Sequence, residues 1–412
     1  MGLAINIRRH RPHRSQGVVN DYGRPFAFAV VVTLAGCVPT APSEPETPSV
    51  EPSAVASASP SAGAEHFPTE AFADISEDPV SERAAAEFQS ILEQMAGERG
   101  MTATVMSADG TWSGATGKAD RVRDVRVDDQ FAIHSVVKSV IAAQIMQMVE
   151  AGELDLDDPA VDHLPADLDF DTNGATIRQL LGQRSGIPET NFDLEDPRLA
   201  AHPRRLWTPA EALDLVPPDR APAGEAFEYA NANYQLLGLV IEQIRERPVA
   251  DVLREGVLDV DGTDRLIYQP NEKPTAPMAM PGGHSTAALK KGGGYLPSLA
   301  AASADGAAGG ALASDAPSLA RWWEAFCAGE IVSQASLTEM ATFHDGYGLG
   351  LYNVADPYAE AVGHTGGFIA GYAYVAWAGC LPEEQAIVVV LSNSPFDDIG
   401  GMARPLIEAV SQ

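Results

Sequence analysis

Apolar and polar positions divide this chain into a mixed helix-and-strand start, a long helical middle and a strand-rich end. Residues 80–97 set Ala84, Ala85, Phe88, Ile91, Leu92 and Met95 at helical spacing, which predicts an amphipathic helix. From Thr102 to Ser107 the pattern alternates, Ala108-Asp109-Gly110 supplies a turn, and Trp112 to Gly117 follows, a β-hairpin signal. Near the other end, residues 371–378 and 385–392 read as strands, the second carrying the apolar run Ala386-Ile-Val-Val-Val-Leu391. A last helix is expected over about residues 397–410, and residues 136–325 read as mostly helical with Pro- and Gly-rich connections. No repeat at a period of about 20–50 residues is visible. Strands from both ends enclosing helices predict an α/β protein of the α+β type. Its antiparallel sheet is built from N- and C-terminal strands, flanked by terminal helices, with a large, mostly helical insertion over about 136–300.

Charge narrows the class of partner. The 412 residues hold 27 Lys+Arg against 57 Asp+Glu, a net charge of −30. A phosphate backbone selects for basic surface, so nucleic-acid binding is excluded, as is a basic patch on anionic lipid. Residues 1–37 and 38–66 cancel one another, so residues 67–412 carry the whole excess. An acidic surface of this kind predicts a soluble monomer.

The first residues read as an address. An Arg-containing stretch precedes the apolar run Pro25 to Leu34, which has the length of a signal-peptide core. The run ends Leu34-Ala35-Gly36-Cys37, which looks like a bacterial lipobox, with Cys37 as the lipidation site. Residues 38–66 contain six Pro and six Ser and bury too little apolar surface to offset ordering entropy. The expected organisation is a lipoprotein signal peptide over 1–37, a disordered linker over 38–66 and a globular domain over 67–412. The expected location is outside the cell, anchored by lipid to the outer face of the bacterial membrane. Two further cysteines, Cys327 and Cys380, either pair or stand as buried thiols. No His/Cys cluster has metal-ligand spacing, so no metal is expected.

Of five lysines, only Lys138 sits in an apolar run, Ser135-Val-Val-Lys138-Ser-Val-Ile-Ala-Ala-Gln-Ile-Met146. A helix apolar on nearly all sides is buried, and a buried ammonium costs several kcal/mol unless it is paired or loses its proton. Ser135 stands three residues earlier, on the same helical face. A desolvated lysine can take the proton of a serine hydroxyl, and a helix start near Ser135 would offer N–H groups to an oxyanion. The spacing alone also arises by chance; the apolar setting is what singles it out. A second group is Tyr229-Ala230-Asn231, entering an apolar helix that contains Leu236 to Ile241. A Tyr there can relay a proton and an Asn can grip an amide, although capping and core packing explain the same residues. The third, Gly363-His364-Thr365-Gly366-Gly367, reads as a turn ahead of a strand, with small residues that let a substrate backbone approach.

Ser-x-x-Lys, then Tyr-x-Asn, then His-Thr-Gly, in this order, resembles the serine β-lactamase/penicillin-binding-protein family. The likeness is to its class C β-lactamase-like branch, which includes D-alanyl-D-alanine carboxypeptidases and esterases. Phe131 to Ser139, Ile177 to Pro188, Gly309 to Asp315 and Tyr347-Gly-Leu-Gly-Leu351 extend the resemblance over about residues 80–412. It implies a β-lactamase/DD-peptidase-like fold. It also implies Ser135 as acylated nucleophile, Lys138 and Tyr229 sharing the general base, and Asn231 holding the substrate amide. His364 and Thr365 would guide the leaving group or carboxylate, and the N–H groups of Ser135 and Gly367, beside Gly366, would form the oxyanion hole. No cofactor is implied. Two positions depart from the pattern: His364 replaces the lysine common in β-lactamases of this branch. Tyr352 stands where some carboxypeptidases place a carboxylate-binding Arg.

The expected function is therefore an exported serine hydrolase acting through an acyl-enzyme on small-molecule, peptidoglycan-peptide or ester substrates, carboxypeptidase-like or esterase-like. Alternatives are a class C-type β-lactamase and a penicillin-recognising sensor without turnover. An α/β-hydrolase is disfavoured: its nearest nucleophile elbow, Gly283-His284-Ser285-Thr286-Ala287, lacks the second glycine and follows no strand.

Overall fold

The computed structural model describes Phe72, residues 75–282, Leu296 and residues 298–412 except Tyr358, Ala370 and Gly371. Cys37, the leader, the linker and residues 283–287 lie outside the described residues.

The helix expected near the start is α1 (Glu82–Ala96), opened by Ser81, whose hydroxyl accepts from the Ala84 N–H. The hairpin follows as β1 (Met101–Ser107) and β2 (Gly110–Thr116), with Ser107 opposite Gly110. Next come β3 (Phe131–Ala132) and α2 (Val137–Glu150), then α3 (Asn231–Arg245), β4 (Ile267–Tyr268), β5 (Leu312–Ser314) and α4 (Ala316–Cys327). The chain closes with β6 (Tyr352–Asn353), β7 (Val362–Ile369), β8 (Tyr372–Leu381), β9 (Ala386–Ser392) and α5 (Arg404–Val410).

The main sheet has the order β2-β1-β9-β8-β7-β6, antiparallel throughout, so its strands do come from both ends of the chain. Strand β9 is buried at every position and apolar from Ala386 to Leu391 because both faces are covered. Val388 and Val390 pack with Phe88, Leu92, Leu406 and Ile407 of the terminal helices. Ile387, Val389 and Leu391 face the opposite way and join Trp322, Trp323 and the helical insertion. The last helix proper begins at Arg404, after a 3₁₀ turn over Gly400–Ala403.

Two features differ from the sequence expectation. A second, three-stranded sheet, β3-β5-β4, underlies the helical part; two- and three-residue strands leave no periodicity to read. The His-Thr-Gly motif is not a turn ahead of a strand but lies inside β7. Of the two states left open for Cys327 and Cys380, the structure has the disulfide, which ties the end of α4 to β8.

Candidate active site

Strand β3 leads into a 3₁₀ turn, His134–Val136, and then into α2, so Ser135 sits at the mouth of a helix as expected. His134 is held at φ 48°, a left-handed conformation that non-glycine residues seldom adopt and that gathers at functional sites. Its ring is wholly buried beside Tyr374, 6.1 Å between centroids, and neither nitrogen has a hydrogen-bond partner among the described residues. Burial, with the Lys138 charge adding to it, lowers this imidazole to about 3, so it is neutral. Helix α2 is buried on almost every side, Lys138 included.

Lys138 Nζ lies 3.1 Å from Ser135 Oγ and 2.7 Å from Asn231 Oδ1, and hydrogen-bonds the Ala308 carbonyl. Burial drives the amine down to about 7, while the nearby Glu189 and Asp305 carboxyls pull it partly back. Asn231 Oδ1 and the Ala308 carbonyl can only accept. Once Lys138 loses a proton, its two remaining N–H bonds match those acceptors and its lone pair is left for Ser135, the one partner able to donate.

Tyr229 hydrogen-bonds Ser135 and packs its ring 4.8 Å from Lys138 Nζ, a cation–π distance. Desolvation raises its phenol well above the ordinary tyrosine range, so Tyr229 is a protonated donor and not a phenolate. The segment that presents Tyr229 and Asn231 is clamped by the loop over residues 183–189. Gln183 Oε1 accepts from the Ala230 N–H at 3.0 Å and from Asn233 Nδ2 at 2.6 Å. Ser185 Oγ bonds Asn233 Oδ1 at 2.6 Å. Glu189 Oε1 accepts from the Asn231 N–H at 3.1 Å.

Strand β7 closes the far side. A Cβ on Gly366 would sit 2.1 Å from the Ile133 carbonyl and 3.1 Å from His134 Cβ, so only glycine lets the strand lie against the nucleophile's turn. The Thr365 N–H points away from β8, donating to Tyr352 Oη at 3.2 Å. By the two-residue period of a strand, Gly367 turns its N–H the same way, along the edge that β6 leaves uncovered. That direction suits an oxyanion donor. His364 is almost fully buried and carries no positive charge; burial, with Lys138 adding to it, lowers it to about 3. Its Nδ1 donates to the Thr365 carbonyl at 2.6 Å, which leaves Nε2 to accept from the Tyr347 hydroxyl at 3.1 Å. Tyr229, Tyr347, Tyr352 and His364 form one aromatic cluster, with centroids 5.1–6.5 Å apart. Among the described residues no group of His, Cys, Asp and Glu could hold a metal ion.

A family model described as Beta-lactamase matches residues 88–411. The chain belongs to the beta-lactamase family. Members of this family are serine hydrolases. Protein flp of Staphylococcus aureus is 34% identical over 122 residues, which is 29% of this chain and 24% of that protein. Penicillin-binding protein 4 of Amycolatopsis lactamdurans is 32% identical over 155 residues, 36% of this chain and 38% of that protein. The match thus spans well under half of these curated relatives. Among solved structures, D-amino acid amidase from Ochrobactrum anthropi SV3 superposes with a TM-score of 0.67 at 24% identity, covering 80% of this chain and 99% of that one. A penicillin binding protein from Bacillus halodurans gives 0.63 at 25% identity, covering 78% and 98%. These likenesses are of fold.

The beta-lactamase fold thus brings Ser135, Lys138, Tyr229 and Asn231 together and sets His364 to Gly367 opposite them. Sequence reasoning missed Gln183, Glu189, Tyr347 and Asp305 as parts of the site. The one signal available was their place inside or beside segments already quoted for the resemblance. Outside the site, no helix among the described residues is long and apolar enough to cross a membrane.

Proposed function

We propose that the protein is a serine hydrolase that opens amide or ester bonds, of D-alanyl peptides or small esters, through an acyl-enzyme on Ser135. The observation that carries this reading is the Lys138 environment: a buried amine at about 7 with two acceptor-only partners and one hydroxyl. Neutral Lys138 takes the Ser135 proton as Oγ attacks the carbonyl carbon. Negative charge gathering on the carbonyl oxygen is met by the N–H groups of Ser135 and Gly367. The proton returns to the leaving amine or alcohol, with Tyr229 relaying it across the face of Ser135. Water then attacks the acyl carbon and gives its proton to Lys138; the bond between that carbon and Ser135 Oγ breaks, Lys138 returns the proton to Oγ, and the acid leaves.

We also propose that the enzyme is exported and held by a lipid on Cys37. The lipobox-like leader and the Cys327–Cys380 disulfide, a bond favoured in oxidising compartments, support this.

The test uses p-nitrophenyl acetate with intact mass and peptide mapping. An initial burst of one equivalent, with an acetyl adduct on Ser135 that is absent in Ser135→Ala, is expected. Turnover by Ser135→Ala near the parent rate would sink the reading. The same mass experiment with a penicillin separates a stable adduct from hydrolysis.

A further inference from the structure

The middle of β7, beside the nucleophile, carries two donors suited to an anion, the Thr365 N–H and hydroxyl, and both are engaged by one side chain. The Thr365 N–H donates to Tyr352 Oη at 3.2 Å, and the two hydroxyls share a hydrogen bond. Tyr352 is fixed in that position from two directions. Its backbone pairs with Gly363 across the β6–β7 ladder. Its ring stacks on Tyr347 at 5.9 Å and 18° and meets His364 edge-on at 5.1 Å and 80°. The hydrogen bond between the two hydroxyls takes up one of their two protons, and the Thr365 N–H is already given to Tyr352, so the pair offers an incoming anion fewer donors than Thr365 would alone. A carboxylate, with several lone pairs and a full charge, needs more.

The charge of the surroundings points the same way. His364 spends Nδ1 on the Thr365 carbonyl and Nε2 on Tyr347. Lys138 has its three partners already, and the Glu189 and Asp305 carboxyls lie close enough to act on it.

We propose that Tyr352 is a specificity-determining residue that fills the anion position at Thr365, so that the site takes esters and amides with an uncharged leaving group in preference to substrates ending in a carboxylate. This rests on the acyl-enzyme reading above and narrows it away from carboxypeptidase action.

The test is a matched pair of thioesters, S-phenylacetyl-thioglycolate and its methyl ester, each rate normalised to hydroxide hydrolysis and followed by thiol release. The parent enzyme is expected to favour the methyl ester in kcat/KM by on the order of tenfold or more. Tyr352→Phe keeps the stacked ring and frees both Thr365 donors; it should lower KM for the acid and narrow the ratio several-fold. Tyr352→Arg should bring it to parity or reverse it. Equal rates in the parent enzyme, or a ratio unmoved by both substitutions while the methyl ester is still cleaved, would overturn the proposal alone. If neither thioester acylates Ser135, the proposal falls together with the reading on which it rests.

Discussion

The two walls of the cleft handle their polar atoms in opposite ways. On the α2 side, Lys138 and Tyr229 both meet the Ser135 hydroxyl, Asn231 accepts from the amine, and the amine is held near the point where it can give up a proton. On the β7 side, His364, Thr365, Tyr347 and Tyr352 satisfy one another, and the imidazole is neutral. Both walls are buried and rich in hydrogen bonds. Only the first leaves a group whose partners change when a proton moves. Burial alone therefore does not mark a catalytic group; what marks it is an environment whose donors and acceptors balance in the deprotonated state.

The largest expected effect comes from breaking the reactive wall. Ser135→Ala and Lys138→Ala should each lower kcat by about 10³-fold or more, and the double variant should be little worse, because the two act as a unit. Steady-state ester hydrolysis checks this; a loss of tenfold or less in Lys138→Ala would mean that another group takes the proton. Moving the opposite wall is next. Gly366→Ala pushes β7 off the Ile133 carbonyl and should cost on the order of 10²-fold in kcat/KM through misplacement, with the circular dichroism spectrum retained.

Much of this was legible in the chain, and what was not has physical reasons. The hairpin over 101–116 and the strand over 386–392 announced themselves because alternation and β-branched runs are local signals. Strand β7 did not, because Gly363, Gly366 and Gly367 lack the bulk that marks strands; Gly363 and Gly366 answer to backbone from elsewhere in the chain and Gly367 to the Ile399 side chain. Ser135 and Lys138 could be found because an isolated lysine in an apolar helix demands a reason. Gln183 and Glu189 carried only the signal of lying in or beside a stretch that resembles the family, since the partners that give them their task lie some 40 to 50 residues away.

Two smaller predictions sharpen the comparison. Acylation needs neutral Lys138, whose amine sits at about 7. Its rate should therefore rise with pH to a plateau above that value and fall as pH drops through it, visible in the pH profile of the burst. A reactive wall built on the neutral imidazole of His364 would show no such step near 7. Away from both walls, Cys327→Ser opens a crosslink spanning 53 residues of sequence and should cost about 2–4 kcal/mol in denaturant unfolding.

The pairing of β1 with β9 has a consequence for how the molecule comes into being. Met101 is hydrogen-bonded into register with Ser392, so the central ladder of the sheet joins segments almost 300 residues apart. While the chain is still emerging, the hairpin of β1 and β2 has one bare edge and no partner to cover it. Closure must wait for nearly the whole polypeptide, which makes folding slow and post-translational and leaves that edge exposed to wrong pairings in the interval. The export proposed above would suit that order of events, because the β1–β9 ladder cannot close before the last strand arrives.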